Sequence, residues 1–193
     1  MFNQQINNLG TETAFSVLAR ADQLSRMGNN IINLGIGQPD FKTPTHIVEA
    51  GIKALKDGHH GYTPSLGIIE LRESVKNDIF KRYKTNVEID LIQIVPGGKP
   101  IMFIAMLILG GKNNEILTPD PGFPIYQSAI NFSGARSISY KLDEKSGFSL
   151  NADEIISKIT KNTRLIILNS PANPTGGVNN QNEIEKLLNF IEK

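Results

Sequence analysis

Apolar residues along this chain recur in two rhythms, a helical spacing and short unbroken runs, and the two alternate. Phe15, Leu18, Ala21 and Leu24 follow Thr11 and Thr13 at helical spacing and predict an amphipathic helix, closed by Gly28 in the position after a helix C-terminus. Ile31 to Leu34 predicts a short strand, and the irregular loop Gly35-Ile36-Gly37-Gln38-Pro39-Asp40-Phe41 follows it. Thr43-Pro44 opens a second helix, with Ile47, Val48, Ile52 and Leu55 on one face and Gly58 at its end. A loop from Gly58 to Gly67 leads to a helix carrying Ile68, Leu71, Val75 and Ile79. From there strands and helices alternate: strand Ile92–Val95 and helix Pro100–Leu109, then strand Glu115–Thr118 and a helix near Pro124–Phe132. Strand Arg136–Tyr140, helix Asn151–Ile159, strand Leu165–Asn169 and helix Gln181–Ile191 complete the series. Such alternation predicts βαβ units, and hence an α/β fold with a mostly parallel sheet covered by helices on both faces.

Leu165-Ile166-Ile167-Leu168 predicts a strand buried on both faces, and Pro171-Ala172-Asn173-Pro174-Thr175-Gly176-Gly177 stops it abruptly. Ligands of open parallel sheets bind in the crevice at the carboxyl ends of strands. Asn173, between prolines, has little backbone freedom, so its amide can be aimed at a ligand at low entropic cost; the same residues also make an ordinary tight turn. Val95-Pro96-Gly97-Gly98-Lys99-Pro100 joins a strand to an apolar helix, and its glycines permit close backbone approach to an anion at a helix start. The spacings of a P-loop and of a dinucleotide fingerprint are both absent, and a plain strand-to-helix turn needs the same glycines. In Asp120-Pro121-Gly122-Phe123-Pro124-Ile125-Tyr126 the Phe123 ring either stacks on a flat heteroaromatic ligand or anchors the next helix. Gly61-Tyr62-Thr63-Pro64 presents a hydroxyl suited to an anionic oxygen, or a simple turn tyrosine. Gly35-Ile36-Gly37 offers backbone N–H groups to a carboxylate.

Composition narrows the classes. The 193 residues, 39% hydrophobic and 20% charged, suit one domain or one domain with part of another. Lys and Arg total 20 against 19 Asp and Glu, and no basic run tracks a face, so nothing favours nucleic acid or an anionic membrane. The absence of cysteine excludes disulfides, thiolate metal sites and cysteine nucleophiles. His59 and His60 have no carboxylate or third histidine at ligand spacing, so no metal is expected. The longest apolar run, Ile101 to Leu109, falls well short of the roughly 20 residues that span a bilayer. The N-terminus lacks the pattern of a secretory signal, and a cytoplasmic location is expected.

Taken in order, Gly-Ile-Gly-Gln-Pro-Asp-Phe, Gly-Tyr-Thr-Pro, Pro-Gly-Gly-Lys, Pro-Asp-Pro-Gly-Phe-Pro and Asn-Ser-Pro-Ala-Asn-Pro-Thr-Gly resemble the class I/II aminotransferases. These are pyridoxal-phosphate enzymes of the aspartate aminotransferase fold, and the resemblance runs from about Thr13 to the last residue. It implies the large domain of a type I pyridoxal-phosphate fold, incomplete, with the amino-terminal piece of the small domain. Residues 1–44 would contribute to the small domain and the substrate loop, and residues 45–193 would form part of the cofactor-binding large domain. By the same resemblance Gly98 and Lys99 meet the cofactor phosphate, Phe123 stacks on the pyridine ring, and Asn173 hydrogen-bonds the ring's phenolic oxygen. Gly37 meets the substrate α-carboxylate with its backbone. Tyr62 reaches the phosphate in the neighbouring subunit, which implies a homodimer.

The implied reaction is transfer of an amino group from an amino acid to a 2-oxo acid. A lyase or synthase on the same scaffold, or a non-catalytic aminotransferase-like fragment, are the rivals. The family's Schiff-base lysine, its carboxylate on the pyridinium nitrogen and its substrate-binding arginine all follow the Asn-Pro-Thr-Gly motif. Only sixteen residues follow Gly177, with no Asp, no Arg and no Ser-Lys or Thr-Lys step. Ser157-Lys158 precedes the motif within a helical pattern, and Lys99 matches a phosphate contact. The chain is therefore expected to be the amino-terminal part of such an enzyme and unable to transaminate alone. Incubation of the purified chain with pyridoxal phosphate, then borohydride, is expected to leave no lysine adduct at family-typical affinity; a stoichiometric adduct by mass spectrometry would contradict this.

Overall fold

A computed structural model of the chain describes residues 6, 7, 9, 10, 13–35 and 37–192. Seven α-helices and three strands are described: α1 (Thr13–Arg26), α2 (Thr45–Lys56), α3 (Ile69–Tyr83), α4 (Lys99–Leu109), β1 (Glu115–Asp120), α5 (Ile125–Ser133), β2 (Arg136–Lys141), α6 (Ala152–Lys158), β3 (Thr163–Ile166) and α7 (Gln181–Ile191). Two compact units divide it, Met1–Ser16 with Lys99–Lys193, and Val17–Gly98.

The first unit holds a parallel sheet in the order β2-β1-β3. Strand β1 is buried from Glu115 to Pro119, because each face of the sheet carries its own apolar layer. On one face Ile116 packs with Met106, Tyr126, Ala129 and Ile130 from α4 and α5, joined by Leu165 and Ile167. On the other, Leu117 packs with Tyr140, Leu150, Ile155 and Leu187, which brings in α6 and α7. Successive strand residues point to opposite faces, so β1 feeds both layers, and each buried Ile or Leu contributes about 1.5–3 kcal/mol. The helices are trimmed by their caps. Asn151 and Asn180 accept N–H bonds at the starts of α6 and α7, and Gly134 ends α5 in the left-handed region at φ 82°.

Three sequence-based expectations need correction. Ile31 to Leu34 is not a strand: it lies in no ladder, and Ile32 and Leu34 are almost fully exposed. Ile92–Val95 is not a strand either. It follows a short 3-10 turn (Ile89–Leu91), and its backbone bonds go to a turn, with the Ile94 N–H donating to the Leu66 carbonyl at 3.0 Å. Apolar β-branched runs satisfy the strand pattern, but a strand exists only where a ladder partner lies alongside. The third concerns Leu165–Asn169. The strand there spans Thr163–Ile166, is half-buried, and leaves Leu168 exposed, since β3 is an edge of the described sheet while the doubly buried position belongs to β1. In the Val17–Gly98 unit the predicted face of α2 is exposed at Ile47, Val48, Ile52 and Leu55. No helix among the described residues is long and apolar enough to cross a membrane.

Glu115 fastens the amino end of the sheet. Its carboxylate accepts a bond from Thr160 Oγ1 at 2.6 Å and pairs with Arg136 of β2, while its N–H donates to the Asn162 carbonyl at 2.9 Å. The hydrogen bonds from Thr160 and then Arg136 hold its carboxyl below the ordinary 4.5. A lowered folded-state pKa stabilises the fold above the unfolded value, and that contribution is lost as pH falls through the folded value. Glu115→Gln is therefore expected to lower the thermal midpoint at pH 7, with the gap to wild type closing as pH falls below the ordinary carboxylate range. A gap independent of pH in melts across that range would count against this role.

Candidate functional site

Because the strands run parallel, their carboxyl ends share one edge of the sheet, and the loops leaving β1 and β3 emerge side by side there. The loop after β1 carries Phe123. Gly122 is packed so tightly that a Cβ there would lie 2.3 Å from the Pro119 carbonyl oxygen. The Tyr126 N–H donates to the Phe123 carbonyl at 3.0 Å, and the two rings meet edge-on at 5.8 Å and 88°. Phe123 is half-buried against the α4/α5 core layer, so the ring anchors the helix as well as lining the edge.

The loop after β3 carries Asn173 at an exposed tip closed from behind. The Ala172 N–H donates to the Gly177 carbonyl at 2.8 Å, and the Gly176 N–H to the Ala172 carbonyl at 2.7 Å. Buried Ala172 roots the turn in the core, and the Asn179 N–H donates to Ser170 Oγ at 3.0 Å. Gly177 lies where a Cβ would be 2.7 Å from the Gly147 carbonyl oxygen. Burial pushes the Tyr126 phenol up from its ordinary value, against the opposing effect of the Asn169 side chain in the loop after β3.

Lys99 is the first residue of α4, and its Nζ lies 5.8 Å from the Phe123 ring centroid and 5.7 Å from that of Phe15. Cation–π contacts of this kind stabilise by about 0.5–1 kcal/mol at exposed sites. Sequence reading placed Phe15 on the inward face of its helix, but it is exposed and turned to Lys99, while half-buried Ala14 and Leu18 lie inward. No local pattern marks that contact, since it joins residues far apart in the chain.

Gly37, Tyr62 and Gly98 belong to the Val17–Gly98 unit. Gly97 takes φ 84°, in the left-handed region that favours glycine, and a Cβ on Gly98 would meet nothing within 4 Å. Backbone at that turn is thus open to close approach. Tyr62 is fully exposed, and Gly37 is open on its Cβ side. Lys158 ends α6, paired with Glu154 at 2.9 Å and donating to the Ser139 carbonyl, so it is a structural lysine. Within the sheet unit the loops thus carry an ammonium, an aromatic ring and an amide, groups able to meet an anion, a flat ring and a polar oxygen respectively.

Solved structures share this architecture throughout. Aspartate aminotransferase from Thermus thermophilus with maleate superposes with a TM-score of 0.94 at 27% identity, covering 100% of this chain and 50% of that one. Alanine aminotransferase from Pyrococcus furiosus gives 0.92 at 28% identity, covering 100% and 49%. The fold is the α/β aspartate aminotransferase fold. Among curated relatives, a probable aspartate/prephenate aminotransferase of Aquifex aeolicus is 33% identical, covering 96% of this chain and 47% of that protein. An aspartate aminotransferase of Sulfurisphaera tokodaii is 36% identical, covering 100% and 49%. The aminotransferase class I and II family matches residues 29–193, and the chain belongs to that family of transferases, which is pyridoxal-phosphate-dependent. It spans about half the length of the curated relatives it matches.

Gly122→Ala is expected to cost about 1–3 kcal/mol, since the Pro119 backbone cannot yield without moving β1. Urea denaturation checks it, and an unchanged midpoint would mean that the Phe123 loop is not braced as described.

Proposed function

We propose that this chain is the amino-terminal portion of a pyridoxal-phosphate-dependent aminotransferase, which in its complete form moves an amino group from an amino acid to a 2-oxo acid. The observation that carries it is the setting of Lys99, Phe123 and Asn173 around the loops of one parallel sheet, in the order the family's motifs require. In this reading Lys99 and the Gly98 backbone hold the phosphate. Phe123 fixes the plane of the ring, and the Asn173 amide donates to its phenolic oxygen. Gly37 meets the substrate carboxylate with its backbone, and Tyr62 reaches the phosphate of the neighbouring subunit, so the complete protein is a homodimer. A bound pyridoxal phosphate supplies the electron sink that makes the substrate Cα–H acidic. Residues 1–44 belong with the small domain and substrate loop, and 45–193 with the large domain. A cytoplasmic location accompanies the reading.

The experiment is turnover by the complete gene product with an amino acid and 2-oxoglutarate. Glutamate formation is expected; release of pyruvate and ammonia would instead mark a lyase, and inertness with no cofactor bound would mark a non-catalytic relative. In the same protein Lys99→Ala is expected to weaken pyridoxal phosphate by about tenfold or more, as befits a charge-assisted contact, and to leave unphosphorylated pyridoxal little changed. Equal losses in fluorescence titrations with the two ligands would remove Lys99 from the phosphate.

A further inference from the structure

Among the described residues of the Val17–Gly98 unit, only Arg72 and Ile92 are buried, and they are bonded to each other. Arg72 Nε donates to the Ile92 carbonyl at 3.0 Å, and its Nη2 donates to the Ile89 carbonyl at 2.6 Å. Nη2 also meets Asp90 Oδ1 at 3.1 Å, but the Asp90 side chain is 89% exposed against 9% for Arg72. The inward partners of this guanidinium are thus main-chain oxygens. Taking a charge out of water is costly, and a buried apolar residue would fill the space more cheaply. What an apolar residue lacks is a planar fork that holds several points of the turn Ile89–Leu91 and its exit in one geometry.

That turn leads directly into Val95-Pro96-Gly97-Gly98. A second loop hangs on the same segment. The Ile94 N–H donates to the Leu66 carbonyl at 3.0 Å, and Gly67, at φ 95°, packs so closely that a Cβ would lie 2.8 Å from Ile94 Cβ. Leu66 and Gly67 end the loop that bears Tyr62. Fixing Ile89 to Ile94 therefore fixes the roots of both loops.

We propose that Arg72 is the positioning residue for the phosphate contacts of this unit, setting Gly98 through the chain that follows Ile92 and Tyr62 through the Leu66–Ile94 bond. The inference rests on the proposed function, which gives Gly98 to its own subunit's cofactor and Tyr62 to the neighbour's. One buried side chain then tunes two sites of the dimer without touching either ligand.

The test compares wild type, Arg72→Lys and Arg72→Met in the full-length protein by amide hydrogen exchange and by equilibrium titration with pyridoxal phosphate and with pyridoxal. Arg72→Met is expected to speed exchange across residues 61–67 and 92–98 while β1, β2 and β3 keep their protection. It is expected to weaken pyridoxal phosphate by about tenfold, with pyridoxal changed less than about twofold. Arg72→Lys, which keeps the charge and one donor group, is expected to recover part of both effects. Unchanged exchange at 61–67 and 92–98 in both variants overturns the proposal, and so does equal weakening of the two ligands, which marks a merely structural residue. Should Arg72→Met unfold, the lysine variant is judged by the same two readouts. If wild type itself shows no preference for the phosphorylated ligand, the cofactor reading fails, while the exchange data still decide whether Arg72 holds the two loops.

Discussion

Parallel pairing of β1 with strands on both sides is the constraint from which the rest of the sheet unit follows. A strand in that position must be apolar on both faces, and Ile116 and Leu117 accordingly feed separate helix-covered layers. Parallel strands also send all their exits to one edge, which is why loops separated by some fifty residues of sequence leave the sheet together. Tyr140 adds a crosspiece. Its ring is buried, and its hydroxyl reaches from β2 to donate to the Ile167 carbonyl, just beyond β3, at 2.7 Å. Burial pushes that phenol well above its ordinary range, so it acts as a neutral donor.

The two edges of the sheet divide the labour. At the amino edge Arg136 and Thr160 each meet an oxygen of the Glu115 carboxylate, a polar cluster whose lowered carboxyl pKa reports structure rather than catalysis. At the carboxyl edge stand the chemically specific groups: a half-buried ring met edge-on by Tyr126, an exposed amide on a closed turn, and an exposed ammonium facing two rings. Bracing lies behind them. Gly122 and Gly177 stand where no side chain fits, and buried Ala172 roots the second turn in the core. Rigid roots under exposed tips allow a ligand to be met without ordering the loops at the moment of binding.

Where local pattern and partner coincide, the sequence was legible. The α7 helix spans Gln181–Ile191 as its periodicity predicts, and β1 and β2 begin at the predicted Glu115 and Arg136. Ile31 to Leu34 and Ile92–Val95 have equally good strand patterns and no ladder, because pairing depends on residues distant in sequence. The α3 helix is instructive in a different way. Its apolar spacing nominates Ile68, Leu71, Val75 and Ile79 for the interior, yet its buried residue is Arg72, held by carbonyls some twenty positions away. An arginine in an amphipathic helix carries no mark that distinguishes a buried clamp from a solvated charge.

What the sequence determined by itself was the vocabulary and order of the loops: which turn carries the ring, the amide, the double glycine and the lysine. Those are local properties, written in short motifs whose prolines and glycines restrict the backbone on the spot. Only the tertiary structure decided that Phe15 faces Lys99, that the Tyr140 hydroxyl reaches the Ile167 carbonyl, and that Arg72 is buried beside Ile92 in its unit. Each of those depends on chain segments brought together by packing, and no window of neighbouring residues contains both partners.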